Sequence, residues 1–257
     1  MLSNQIAVVT GSASGIGKGT SYVLAKYGAT VVCLDLNEKG AEETAVTIRA
    51  AGGNAKSIAL DITNSGRIFE VFDRIAAEYG RIDIVVNAAG IALQSPVWEA
   101  TEAMWDKTFA INIKGTYICC KAAIKYMMEQ RSGRIINISS RSAKLAEKNN
   151  AAYCSSKAAV NMLTQCLALE LAQYGILVNA VCPSLVNTEM IRDAIINFSK
   201  QKGKTTEEFE REWVADIPLG RMAEPEEIGE FVAFLCSDKA RFITGSALNF
   251  DGGFTRI

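Results

Sequence analysis

Histidine is absent from all 257 residues. That one gap excludes Ser-His-Asp hydrolysis, a histidine-dependent dehydrogenase relay and the two-histidine metalloprotease helix. Any acid–base chemistry must use other groups. The seven cysteines (Cys33, Cys119, Cys120, Cys154, Cys166, Cys182 and Cys236) include no C-x-x-C pair. Without histidine partners a zinc site is not expected, so the thiols read as small buried side chains in a reducing compartment. No run of 18 apolar residues occurs, and the start "MLSNQIAVVT" carries neither a basic leader nor a cleavage site. A cytoplasmic protein with no membrane partner is expected. Lys and Arg total 27 against 28 Asp and Glu, with no long block of either sign. This balance argues against nucleic acid as a partner. There are four prolines, no repeat and no Pro/Gly/Ser linker. One domain over 1–257 is therefore expected.

Hydrophobic residues make up 49% of the chain, enough to fill a large core. They fall into short β-branched runs at 5–10, 30–34, 55–60, 82–87, 133–139, 176–182 and 246–250. Between these runs lie segments of helical period near 15–27, 38–51, 65–79, 102–131, 152–174 and 225–236. Continuous apolar strands separated by helices predict a seven-stranded parallel sheet covered on both faces: an α/β, doubly wound Rossmann fold. Residues 188–217 are long and polar at their centre, and are read as an excursion that covers the site.

The first strand runs into "TGSASGIG", with glycines at 11, 15 and 17. Such a turn lets backbone approach a pyrophosphate at a helix N-terminus. Gly11, Ser14, Gly15, Ile16 and Gly17 are thus candidate cofactor residues. Asp35 ends the second strand, where a carboxylate can accept from adenosine ribose hydroxyls. A negative charge there repels the extra phosphate of NADP, and uncharged Ser14 stands where an Arg or Lys could have neutralised it. NAD is the expected cofactor, with Lys18 the one nearby cation that could favour NADP.

Tyr153 and Lys157 stand four residues apart in "AAYCSSKAAV". On a helix they share one face and can address one pocket. A free phenol titrates near pH 10, and a neighbouring ammonium together with an oxidised nicotinamide could lower it by about three units. The pair would then do the work of the absent histidine.

Together with "TGSASGIG", the motifs "NAAG" (87–90), "NIKG" (112–115), "NISS" (137–140) and Y-x-x-x-K (153–157) resemble those of the short-chain dehydrogenase/reductase family. The resemblance runs from about residue 5 to 253. It implies a catalytic set of Asn112, Ser140, Tyr153 and Lys157, with Ser140 and Tyr153 meeting the substrate oxygen. It also implies that Asn112 holds a water beside Lys157, that Asn87 ties strands beneath the nicotinamide ribose, and that Asp61 and Ile62 bracket the adenine. Pro183, Val186 and Thr188 would hold the carboxamide. Ser184 stands where the family commonly has glycine, which restricts the backbone at that loop.

The reaction implied is reversible hydride transfer between a secondary alcohol and NAD. The polar loop 140–153, with Lys144 and Lys148, resembles that of polyol dehydrogenases. The alternatives are a 3-oxoacyl thioester reductase, a diacetyl/acetoin-type reductase, a halohydrin dehalogenase and a non-catalytic dinucleotide sensor. The dehalogenase is opposed by the dinucleotide loop and by Lys157, and the sensor by the complete catalytic set. Helical segments 102–131 and 152–174 carry more apolar surface than one sheet face buries, and family members pair such helices between subunits, so a homotetramer is expected, with a dimer the alternative.

Overall fold

The computed structural model describes residues 1–255; Arg256 and Ile257, the end of the expected single domain, lie outside the described residues. Seven strands form one sheet: β1 (Ile6–Thr10), β2 (Thr30–Asp35), β3 (Asn54–Ala59), β4 (Ile84–Asn87), β5 (Gly133–Ile138), β6 (Ile176–Pro183) and β7 (Ala247–Phe250). All pairings are parallel, in the order β3-β2-β1-β4-β5-β6-β7. The predicted runs match these strands to within a few residues.

Alternation along the buried strands feeds two cores. From β1, Ala7 and Val9 face one side, packing with α1 (Gly15–Lys26), α2 (Glu38–Ala50) and α9 (Pro225–Cys236). Ile6 and Val8 face the other, against α3 (Ser65–Tyr79), α5 (Thr116–Gln130) and α6 (Ala151–Leu171). Each fully buried aliphatic side chain contributes about 1.5–3 kcal/mol, so both layers hold the sheet firmly. Helix α1 lies unusually close to α9. A Cβ on Gly19 would stand 2.6 Å from the Pro225 ring, and one on Gly229 would stand 2.9 Å from Val23. Glu230 adds polar ties to the end of α1 through Lys26 and the Tyr27 hydroxyl.

Three local features depart from the sequence reading. The helix expected over 102–131 is interrupted: α4 (Glu102–Phe109) passes into a π-helical turn at Ala110–Gly115 before α5 resumes. The excursion at 188–217 is two helices, α7 (Glu189–Gln201) and α8 (Thr206–Val214). Their apolar faces close a small separate core of Leu185, Ile195, Phe209, Ile217 and Met222. Cys166, expected in the interior with the other thiols, is exposed on α6, and Cys154 is only half-buried.

Candidate active site

The strand order reverses between β1 and β4, so the loops leaving their C-terminal ends diverge and open a crevice. A cleft of about 360 Å³ lies there. Its walls include Gly11, Ser14, Gly15, Ile16 and Gly17 from the first loop and the start of α1, Asp35 at the end of β2, Asp61 and Ile62 beyond β3, Thr188, and Tyr153 with Lys157 from α6. Eleven expected residues, contributed by five separate segments, thus meet in one place.

The glycines have steric work there. A Cβ on Gly11 would fall 2.7 Å from the Ala89 nitrogen, and one on Gly17 would run into the Gly11 carbonyl. The loop can lie flat against the β4 end only with hydrogen at both positions, which leaves the N-terminus of α1 open to the cleft. Asp35 accepts from Ala13 N (3.0 Å) and Asn37 N (2.9 Å), one bond to each oxygen. Each oxygen keeps a second lone pair for a ribose hydroxyl. These residues fit an adenine dinucleotide.

The remaining expected residues lie behind the walls. Asn87 is 3% exposed and donates to Asn137 Oδ1 (2.8 Å), tying β4 to β5, while its own Oδ1 has no partner. Asn112 sits in the π turn, where its Oδ1 accepts from Ile91 N (2.9 Å) and its Nδ2 donates to Ile91 O (2.9 Å) and Ser156 Oγ (3.0 Å). The extra backbone residue of the turn lets one side chain clamp the loop after β4 to α6. A Cβ on Gly90 would come within 3.4 Å of both Asn112 Oδ1 and Lys157 Nζ, so glycine keeps that corner open.

Pro183 ends β6. Val186 is buried in a bridge with Ala223 that uses Asn187 N and Ala223 N as donors, not the N–H of Val186 itself. Ser184 causes no strain: its backbone lies outside the left-handed region, and its hydroxyl donates to Asp251 O (3.2 Å). Thr188 caps α7, and its methyl group lies over Gly15.

Ser139 and Ser140 part company as strand alternation predicts. Ser139 faces the cleft, but its hydroxyl donates to Lys157 O (3.2 Å). Ser140 is 8% exposed, with its hydroxyl beside the Tyr153 phenol. Lys157 is 5% exposed and donates from Nζ to Ile138 O (2.8 Å), 5.7 Å from the centre of the Tyr153 ring.

Without a coenzyme ring beside them, the two groups are governed by their burial. Burial pushes Tyr153 up to about 12; the neighbouring Ser140 hydroxyl opposes this, and the Glu147 charge adds to it. Burial also pushes Lys157 down to about 8. A buried ammonium aimed at a carbonyl cannot offset the desolvation of its neighbour, so the protein alone holds both groups in their neutral-favouring direction.

The two lysines of the 140–153 loop have different surroundings. Lys144 donates to Ala247 O (2.7 Å) and Asn249 Oδ1 (2.5 Å), binding the loop to β7, and Lys148 is exposed. Several further walls were not singled out in the sequence: Leu36, Ile91, Ile111, Ile138 and Met190. They are ordinary apolar residues brought to the cleft by position alone: at a strand end, in loops, in the π turn and in the first turn of α7. Among the described residues no group of three His, Cys, Asp or Glu side chains is placed to hold a metal, and no helix is long and apolar enough to cross a membrane.

Residues 11–255 match the family profile described as enoyl-(acyl carrier protein) reductase, of the short-chain alcohol dehydrogenase type. The chain is 38% identical over 254 residues to D-threitol dehydrogenase of Mycolicibacterium smegmatis, covering 99% of this chain and 94% of that one. It is 37% identical to an NAD-dependent glycerol dehydrogenase of Listeria innocua, covering 99% and 95%. A crystal structure of an actinorhodin polyketide ketoreductase variant with NADPH superposes with a TM-score of 0.94 at 34% identity, covering 99% of both chains. With this sheet order, this cleft and these matches along nearly its whole length, the chain belongs to the short-chain dehydrogenase/reductase family, oxidoreductases that interconvert alcohols and ketones.

Proposed function

We propose that this protein is an NAD-dependent dehydrogenase acting on a secondary alcohol of a polyol or similar small hydroxylated molecule. The observation that carries this reading is the convergence of Tyr153 and Lys157 with the glycine loop and Asp35 on one cleft. A nicotinamide coenzyme bound there would supply the hydride acceptor and a positive ring. Gly11, Ser14, Gly15, Ile16 and Gly17 would hold its pyrophosphate, Asp35 its adenosine ribose, and Asp61 and Ile62 its adenine. Asn87 would lie beneath the nicotinamide ribose, with Pro183, Val186 and Thr188 at the carboxamide.

In the chain's own chemistry, Tyr153 takes the hydroxyl proton during oxidation and returns it during reduction. Ser140 steadies the same oxygen. Lys157 and the Asn112 clamp set the position of the tyrosine ring and the route of the proton away from it. Glycerol and threitol dehydrogenases among the relatives support the polyol reading. Similarity to a polyketide ketoreductase with NADPH and to a 3-oxoacyl-[acyl-carrier-protein] reductase supports a second reading, reduction of a 3-oxoacyl thioester.

The exposed Trp105, Tyr117, Met162 and Leu169 on α4, α5 and α6 support association through these helices, and a homotetramer is proposed. The test is coenzyme reduction with NAD and with NADP across glycerol, tetritols, pentitols and cyclic alcohols, beside oxidation of NADPH with a 3-oxoacyl thioester. Faster turnover of the thioester than of every polyol overturns the proposal.

A further inference from the structure

Behind Ser140 a chain of hydrogen bonds leads away from the cleft. Ser140 Oγ donates to Ser142 Oγ (3.0 Å), and Ser142 Oγ donates to Glu147 Oε1 (2.8 Å). The same carboxylate accepts from Arg141 Nε (3.2 Å) and Asn150 Nδ2 (2.9 Å). Ser142 N returns a bond to Ser140 Oγ (3.1 Å), closing the turn. The Arg141 guanidinium lies 3.9 Å from the centre of the Phe254 ring, so the tail after β7 packs the assembly from outside. Asn150 immediately precedes α6, so Glu147 fastens the substrate loop to the helix that carries Tyr153.

The direction of these bonds follows from what each group can do. A carboxylate only accepts, so the single hydrogen of Ser142 is committed to Glu147. Ser142 then offers Ser140 only lone pairs. The one hydroxyl hydrogen of Ser140 has two claimants, the Tyr153 oxygen and Ser142 Oγ, and in this structure Ser142 holds it. We propose that Glu147 is a positioning residue that, through Ser142, withdraws the Ser140 hydrogen from Tyr153 and so governs how readily the phenol yields its proton. The negative charge of Glu147 acts on the phenol in the same sense through space. The relay therefore favours the protonated phenol, the form that donates to a ketone, over the phenolate that oxidises an alcohol. Its meaning for turnover rests on the reading of Tyr153 as the acid–base, but its effect on the phenol does not.

The charged and titratable groups around the pair are Arg141, Cys154 and Lys157, besides Glu147 itself. The experiment is an absorbance titration of the tyrosinate band, where thiolates do not absorb, on the whole chain without coenzyme, taking Tyr153→Phe as the blank. Glu147→Gln keeps the shape and removes the charge; Ser142→Ala cuts the relay and leaves the ties of Glu147 to Arg141 and Asn150. Both are expected to lower the Tyr153 midpoint by about one pH unit, a tenfold change in its acidity. Ser142→Thr, which restores a hydroxyl, is expected to titrate like the parent. A midpoint that is the same in parent, Glu147→Gln and Ser142→Ala, each folded by circular dichroism, overturns the relay. So does equal behaviour of the Ala and Thr variants. The titration needs no substrate, so it decides the relay separately from any turnover assay that decides the reaction.

Discussion

Replacing Lys157 with methionine should abolish turnover and make the protein more stable. Lys157 is almost completely buried, and burial depresses its ammonium from the ordinary 10.5 to about 8. Below pH 8 both the folded and unfolded chains carry the charge, and the folded chain bears the whole penalty of desolvating it. The gap between those two values corresponds to about 3 kcal/mol. Methionine has a similar length without the charge, but it loses the bond from Nζ to Ile138 O, which offsets about 1 kcal/mol.

A net gain of about 2 kcal/mol remains, or roughly 4–8 °C in the thermal midpoint of a chain this size. The advantage has a defined pH window. As pH rises from 8 toward 10.5 the folded lysine is already neutral while the unfolded one is still protonated, so parent stability climbs relative to the variant and the gap closes. Thermal unfolding of both proteins at pH 7 and at pH 10, without coenzyme, checks this. A variant less stable than the parent at pH 7, or an advantage equal at the two pH values, refutes the reasoning.

Tyr153→Phe should reduce kcat by about 10² to 10⁴, the usual worth of a positioned acid–base, while the coenzyme dissociation constant, read by fluorescence titration, stays within about twofold. Asp35→Ala removes the charge opposing a 2′-phosphate, worth about 1 kcal/mol even in a water-like dielectric; the ratio of kcat/KM for NADP over NAD should rise about fivefold or more, and an unchanged ratio would mean that Asp35 does not select the coenzyme. Phe209→Ala opens the small core under α7 and α8, a change that typically costs about 3–5 kcal/mol. Limited proteolysis should then cut within Glu189–Val214 at least about tenfold faster, and identical cleavage rates would show that this core does not hold the two helices down.

What could be read from the sequence was whatever short-range pattern encodes. Runs such as Ile6–Thr10 and Ile176–Pro183 are apolar on both faces, and so marked themselves as strands of a covered parallel sheet. The glycine loop, Asp35 and the Tyr153–Lys157 pair have fixed offsets that place them on a turn, a strand end and one helix face. Hidden were features that depend on which segments become neighbours. Lys144 read only as part of a polar loop, because nothing in its own segment indicates that β7 will lie within reach. Ser142 and Glu147 looked like ordinary loop polarity until folding aligned them behind Ser140. The balance at Tyr153 belongs with these: proximity to a cation is visible along a helix, whereas the depth at which both groups are buried is not.

The glycine contact between α1 and α9 ties the opening of the chain to its last fifth. A growing polypeptide that has not yet made Pro225–Cys236 can pair its first strands, but the helix behind the glycine turn has nothing to rest against on one flank. On this packing, the turn near the N-terminus should settle only late in synthesis. Shortening the protein ahead of Pro225 would disable a loop more than two hundred residues upstream that it never touches in sequence.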